Sequence, residues 1–253
     1  MKKTFIFLAI ISIFNISYAQ INIKKYKEIS IFTSDNLQPL VILENEKIGG
    51  LFGEIFIQAT KEYVSNYKIN NYPWPRTQNE LKKTANSVIF PFARNEEREK
   101  YYKWIDKIFD DHVCIYTAKP NKKINSLQEI ENINSLGFLR NGPETEFISK
   151  ISTKVQKIDS ANVNDLMLKL FKKEIDAVVG GSYLKYVWKK NNLKEENLFC
   201  GKTKLKHELY IAASIKSSEE FVEELKIIIQ KFKKTKKYKE ILEKYQYLWK
   251  ESY

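Results

Sequence analysis

The chain has 253 residues, 43% hydrophobic and 13% aromatic, enough to bury a core in one or two domains. That balance excludes wholesale disorder, collagen and coiled-coil arrays. Lys and Arg number 43 against 31 Asp and Glu, a net charge of +12; two cysteines and two histidines exclude a dense disulfide scaffold and a His-rich metal site.

Lys2 and Lys3 precede an apolar run from Phe5 to Ile16, and Ser17-Tyr18-Ala19 follows with small residues one and three positions before a cut after Ala19. Residues 1–19 therefore read as a cleaved secretory signal peptide. A membrane anchor is the alternative, but the run is short of the ~20 residues a span needs. No cysteine stands at the cut to carry a lipid, and no later stretch is long and apolar enough to cross a bilayer.

Ile29–Thr33 reads as a first strand, followed by a loop through Ser34-Asp35-Asn36 and Pro39. Gly49-Gly50 marks a turn before a helix from Phe52 to Tyr63. A strand near Tyr67–Asn71 leads through Tyr72-Pro73-Trp74-Pro75-Arg76 to a short helix, Thr77–Lys83. Ser87–Phe90 is a buried strand, Asn95 caps a turn over Glu96–Tyr101, and Val113–Thr117 is another strand. The alternation then restarts. Helices are expected at Ser126–Ile130, Glu144–Ser152, Val163–Lys172 and Ser182–Lys190, and strands at Ser135–Leu139, Val155–Ile158 and Ile175–Val179. Leu209–Ala213 is a strand, and helices Phe221–Phe232 and Tyr238–Tyr245 follow. Alternating elements restarted midway predict two α/β lobes.

Export places Cys114 and Cys200 in an oxidising compartment, where one bridge between them and two buried thiols are both open. The lysines are scattered or lie on polar helix faces, including the run Lys231–Lys239, and export argues against nucleic acid as a partner. Arginine is the sharper signal. Only Arg76, Arg94, Arg98 and Arg140 are present, and a chain this biased toward lysine keeps arginine where a forked, bidentate donor is needed.

The order of landmarks resembles the periplasmic amino-acid-binding proteins of solute-binding family 3. Pro39 followed by Gly50-Leu51-Phe52-Gly53-Glu54-Ile55 is similar to that family's Pro-Pro-Phe and Gly-Phe-x-x-Asp-Leu opening. Ala93-Arg94-Asn95-Glu96-Glu97-Arg98 resembles its Thr-x-x-Arg segment, Leu127-Gln128-Glu129-Ile130 its Ser-Leu-x-Asp-Leu, and Leu170–Val179 its Leu-x-x-Gly-x-Val-Asp-Ala. The resemblance implies an α/β, two-lobed periplasmic binding protein type 2 fold: two mixed sheets flanked by helices, with a ligand cleft between the lobes. It implies one discontinuous lobe, residues 20–113 and 207–253, and a second of residues 114–206. The chain would cross near His112-Val113-Cys114 and again near Glu208-Leu209-Tyr210.

The resemblance also implies the site. Arg98 matches the arginine that clamps a ligand carboxylate; the alternative is an exposed arginine pairing with Glu96 or Glu97. Trp74 falls where an aromatic stacks on the ligand, the alternative being a core tryptophan, and Arg76 either shares that cleft or covers the surface. Pro91 and Ala93 replace hydroxyl residues that often line the site. Gly142, Pro143 and Thr145 open a helix whose free N–H groups would suit an anionic group, or form an ordinary turn. Gly180-Gly181 stands where many relatives carry an aspartate against the ligand ammonium, with Asp35, Glu54 or Glu144 as possible substitutes, while Asp176 reads as structural. Four arginines near the cleft lean toward an acidic guest.

The implied function is a monomeric, non-catalytic periplasmic receptor. It would close on a small carboxylate-bearing ligand, most simply an amino acid, and deliver it to the membrane permease of an ABC transporter, with no cofactor and no metal. A dehydratase-like enzyme of the same fold and a sensing or partner-binding relative are the competing readings.

Overall fold

Residues 25–34, 37–126, 128–202 and 206–250 are described in the structure, a computed structural model. The proposed signal peptide and Asp35 lie outside them. The strands and helices run β1 (Tyr26–Thr33), β2 (Ile42–Glu44), β3 (Lys47–Gly49), α1 (Gly50–Thr60), β4 (Val64–Asn71), α2 (Trp74–Lys83), β5 (Ser87–Ala93), α3 (Glu96–Glu99) and β6 (Tyr102–His112). They continue with β7 (Cys114–Ala118), β8 (Ser135–Leu139), α4 (Thr145–Ser149), β9 (Gln156–Ser160), α5 (Val163–Phe171), β10 (Ala177–Gly180), α6 (Tyr183–Lys190) and β11 (Leu198–Cys200). The last are β12 (Lys206–Ser214), α7 (Glu219–Lys233), α8 (Lys236–Lys244) and α9 (Tyr247–Lys250).

Two five-stranded mixed sheets result, in the orders β4-β1-β5-β12-β6 and β11-β7-β10-β8-β9. In the first, β1 runs parallel to β4 and β5, and β12 lies antiparallel between β5 and β6. In the second, β8 is parallel to β9 and β10, and β7 is antiparallel to β10 and β11. The chain leaves the first sheet after β6, enters the second at β7, and returns with β12. This is the expected two-lobed α/β architecture.

The sequence explains the parts. Every residue of β5 is buried, which an apolar run in the middle of a covered sheet requires. Along β10 the side chains alternate: Ala177 and Val179 join the core on one face of the second sheet, and Val178 joins the larger core on the other. Gly50 opens α1 at φ +78°, with Pro39 O 2.6 Å from where a Cβ would sit, so only glycine serves that turn. Helix α2 starts three residues earlier than expected, because Pro75 fits a first helical turn. Asn95, Asn162, Ser218 and Thr235 cap α3, α5, α7 and α8.

Two expected helices differ. In place of Ser126–Ile130 a five-residue 3-10 turn runs from Gln128 to Asn132, and Glu144–Ser152 reduces to Thr145–Ser149. The hairpin β2–β3, turned at Asn45 and Glu46 with φ 49° and 62°, was not anticipated, nor were β6 and β11. Cys114 and Cys200 form a disulfide, with Cα atoms 5.4 Å apart. It ties β7 to the three-residue edge strand β11 and settles the alternatives left open above. Among the described residues no helix is long and apolar enough to cross a membrane.

Candidate functional site

The lobes meet around a small, partly open pocket of about 30 Å³. Leu37 and Leu40 from the loop after β1, Trp74 from the start of α2, Pro91 and Ala93 from β5, and Arg98 from α3 line it on one side. Leu139 from the end of β8, Pro143 and Glu144 from the turn before α4, and Tyr183 from α6 line the other. Asp111 near the end of β6, with His207 and Leu209 near the start of β12, form the base where the chain crosses between sheets.

Arg98 is placed by its own helix start, where the Asn95 side chain accepts its N–H at 3.1 Å. Its guanidinium is buried, lies 4.3 Å over the Phe92 ring, and donates to Ala93 O at 2.7 Å and to Asn141 O at 2.9 Å. The second bond crosses the cleft, and Gln78 Nε2 donates to the same Asn141 carbonyl at 3.1 Å. Burial lowers the guanidinium to about 10, against the pull of Tyr102, Glu144 and Glu97, so it stays charged at neutral pH. Trp74 is 3% exposed and packs edge-on against Phe92, with ring centroids 5.9 Å apart. It is a core tryptophan and a cavity wall at once. Its Nε1 has no hydrogen-bond partner.

The remaining expected site residues divide. Pro91, Ala93 and Pro143 line the cavity with Arg98 and Trp74. Gly142 and Thr145 line a neighbouring pocket of about 140 Å³, which shares Arg98 with the cavity. Their amides are not free for an anion: Gly142 N–H donates to Leu139 O at 2.8 Å and Thr145 N–H to Gly142 O at 3.2 Å. Arg76 is exposed and stacks 4.4 Å over Tyr72. Arg140 pairs with Asp159 on the surface, and Arg94 makes a two-point pair with Glu99 at 2.7 and 3.1 Å. Arg98 is thus the one arginine facing the cavity, and the count of four no longer argues for an acidic guest.

Gly181 is not a cavity wall but makes room for Asp111, whose Oδ2 lies 1.8 Å from where a Cβ on Gly181 would sit. Asp111 Oδ1 accepts the Ser182 N–H at 3.0 Å, and burial raises its carboxyl to about 6 although Ser182 and His112 donate to it. Glu54 lies elsewhere, accepting from Lys244 and Tyr245. Asp176 is structural, its Oδ2 accepting the amides of Asn134 and Ser135 at 2.8 and 3.0 Å.

Glu144 is the outlier. It is 2% exposed, and neither carboxylate oxygen finds a hydrogen-bond donor on another residue. Burial raises it to about 7; its own amide and Arg98 oppose the shift, and Asp111 adds to it. His207 Nδ1 lies 3.7 Å from Glu144 Oε1, but burial and then Arg98 lower the imidazole to about 4, so it is neutral at neutral pH and gives Glu144 no countercharge. Asp111 and His207 were missed by sequence reasoning. Their signal was position: both stand beside the two expected crossings. Among the described residues no group of His, Cys, Asp or Glu is arranged to hold a metal ion.

The sequence matches the bacterial extracellular solute-binding proteins, family 3, over residues 29–247. The chain belongs to that family. Family 3 is a family of binding proteins, and solved structures agree on the fold. A variant of ArgBP from T. maritima superposes with a TM-score of 0.75 at 18% identity, over 88% of this chain and 95% of that one. The substrate binding protein of an amino acid ABC transporter gives 0.74 at 16% identity, over 86% and 98%. A histidine kinase sensor domain with similarity to periplasmic binding proteins gives 0.77 at 14%, over 88% and 96%. No curated protein sequence matches the chain.

Proposed function

We propose that this family 3 protein is a periplasmic receptor that captures a small amino acid between its lobes and delivers it to an ABC transporter permease. It is exported by cleavage after Ala19, acts as a monomer, and performs no chemistry on its ligand. Residues 20–113 with 207–253 form one lobe and 114–206 the other. The observation that carries this reading is the buried Arg98 guanidinium, which bonds to both lobes at the wall of the pocket between them.

A guanidinium has five N–H donors, and two here are used by Ala93 and Asn141 carbonyls. The others suit a carboxylate, whose two oxygens match the fork. Trp74, held rigid by Pro73, Pro75 and Phe92, offers an apolar wall at little entropic cost. Pro91, Ala93 and Pro143 complete it. At about 30 Å³ the cavity is smaller than an amino acid, so ligand entry parts the lobes and the filled site is wider than the empty one. The test is isothermal titration of refolded, ligand-stripped protein against the twenty amino acids and a set of organic acids. The reading expects saturable heat with at least one amino acid. Silence across the whole set would remove the receptor role.

A further inference from the structure

We propose a second binding site beside the solute pocket: the polar recess that shares Arg98 with it takes a small oxyanion, of the size of sulfate or phosphate. An anion there fastens the two lobes to each other. The site is separate from the solute pocket and does not depend on what that pocket takes.

The recess is the neighbouring pocket of about 140 Å³, roomy enough for several water-sized groups. Its walls come from both lobes. Lys82 stands in the last turn of α2, Asn95 caps α3 and Tyr102 opens β6, while Asn141 and Thr145 line it from the turn after β8 and the start of α4. These walls have donors to spare. Tyr102 is 3% exposed, its ring is held edge-on against Phe92 at 4.7 Å, and its hydroxyl has no hydrogen-bond partner. Burial raises that phenol to about 12, so it keeps its proton at neutral pH. Lys82 Nζ lies 4.4 Å from the centre of the Tyr101 ring and 5.5 Å from that of Tyr102. Among the described residues it has no ion pair, although its neighbour Lys83 pairs with Glu80 at 3.1 Å. Asn95 uses its side-chain oxygen on the Arg98 amide and keeps its NH2 group. Across the cleft, Asn141 uses its backbone carbonyl for Arg98 and Gln78 and keeps its side-chain amide.

Charge points the same way. Lys82 and Arg98 bring two positive charges to the walls against one carboxylate, Glu97, which is exposed to water. The Arg98 guanidinium is buried, and the Ala93 and Asn141 carbonyls it bonds carry no countercharge. A buried cation and a buried hydroxyl without a partner are both costly, and one oxyanion answers both. A cationic guest would instead face Lys82 and Arg98. Because Lys82 and Tyr102 belong to one lobe and Asn141 to the other, an anion held between them favours the closed arrangement.

The experiment reads the melting midpoint of ligand-stripped protein with no solute added. Sodium sulfate or phosphate is titrated through the low-millimolar range, against sodium chloride of equal ionic strength. The proposal expects a saturating rise with sulfate and phosphate and none with chloride. Lys82→Gln and Tyr102→Phe should each need about tenfold more sulfate for the same rise, the loss of one hydrogen bond to a charged group. Without anion, Tyr102→Phe should melt at or above wild type, which separates a lost contact from a damaged fold. A lower midpoint would show that the hydroxyl is already bonded and would overturn the proposal. So would a flat sulfate titration of wild type, or an equal rise in wild type and both variants, which is the general effect of salt. L-Glutamate and L-alanine, titrated by calorimetry, form a second arm. If Lys82→Gln weakens glutamate alone while sulfate gives no rise, the recess holds the solute's own acid and the separate anion site is overturned. Silence of every solute in the receptor titration would leave a sulfate-specific rise standing.

Discussion

Arg98 shows why residue type matters in this cleft. Its planar fork reaches Ala93 O within its own lobe and Asn141 O across the gap, and it packs its face on Phe92. Lysine keeps the charge but loses the fork and the stacking. Arg98→Lys is expected to weaken ligand binding by about tenfold or more, read by titration; unchanged affinity would take Arg98 out of the site. The buried acids make a pH prediction. Glu144 is raised from 4.5 to about 7, so its contribution to stability is fully present below about 4.5 and is lost as pH rises through 7. Asp111, raised from 3.8 to about 6, acts in the same direction at lower pH, while His207, lowered from 6.5 to about 4, contributes stability above 6.5 that is lost on acidification. Between pH 8 and 6.5 Glu144 dominates, and the ligand-free melting temperature should climb by a few degrees on acidification, a rise that Glu144→Gln flattens. A flat wild-type profile in that window would contradict the buried, unpartnered state of Glu144. Arg98, Trp74, Pro91, Ala93 and Pro143 were legible in the sequence because each sits in or beside a short landmark. Asp111 was not. In Asp110-Asp111-His112 either aspartate could face inward, and only the fold decides that Asp110 pairs with Lys107 while Asp111 turns under the cleft.

At the scale of elements, strands buried on both faces were among those legible in the sequence. β5 and β10 are short apolar runs, and burial fixes their identity whatever their neighbours do. β6 was hidden for a physical reason. Its pairing with β12 slips register twice, between Leu209 and Tyr210 and between Ile211 and Ala212, so its inward residues do not keep a period of two. β11 is three residues long and edges its sheet, too short to leave a pattern. The Cys114–Cys200 bridge holds it there and closes a separation of 86 residues. Replacing both cysteines by serine is expected to lower stability by about 2–5 kcal/mol, read by denaturant unfolding. A loss near zero would mean that the β7–β11 ladder holds the edge without it. Gly181 gives a second test at this scale. A methyl group there would meet Asp111 Oδ2, so Gly181→Ala should displace Asp111 and cost about 1–3 kcal/mol, whereas a neutral effect would show that Asp111 has freedom to move.

For the whole molecule, two mixed sheets joined by crossing segments bring residues far apart in sequence together around the pocket between the lobes. The apolar core runs without a break from Phe90 and Phe92 in one lobe to Tyr116, Val178 and Trp188 in the other. Polar contacts between the lobes lie on top of it, among them Arg98 and Gln78 on Asn141, the Ser182 amide on Asp111, and Lys190 on Gln38 at 3.2 Å. A solute that binds only the closed arrangement shifts the population toward it, by an amount set by its differential affinity. The test that bears most directly on this account is a crystal structure of the protein grown with its tightest-binding solute. The account predicts one small molecule held between the lobes, its carboxylate on Arg98 and an apolar face against Trp74. A solute bound elsewhere, with Arg98 and Trp74 not touching it, would contradict the account.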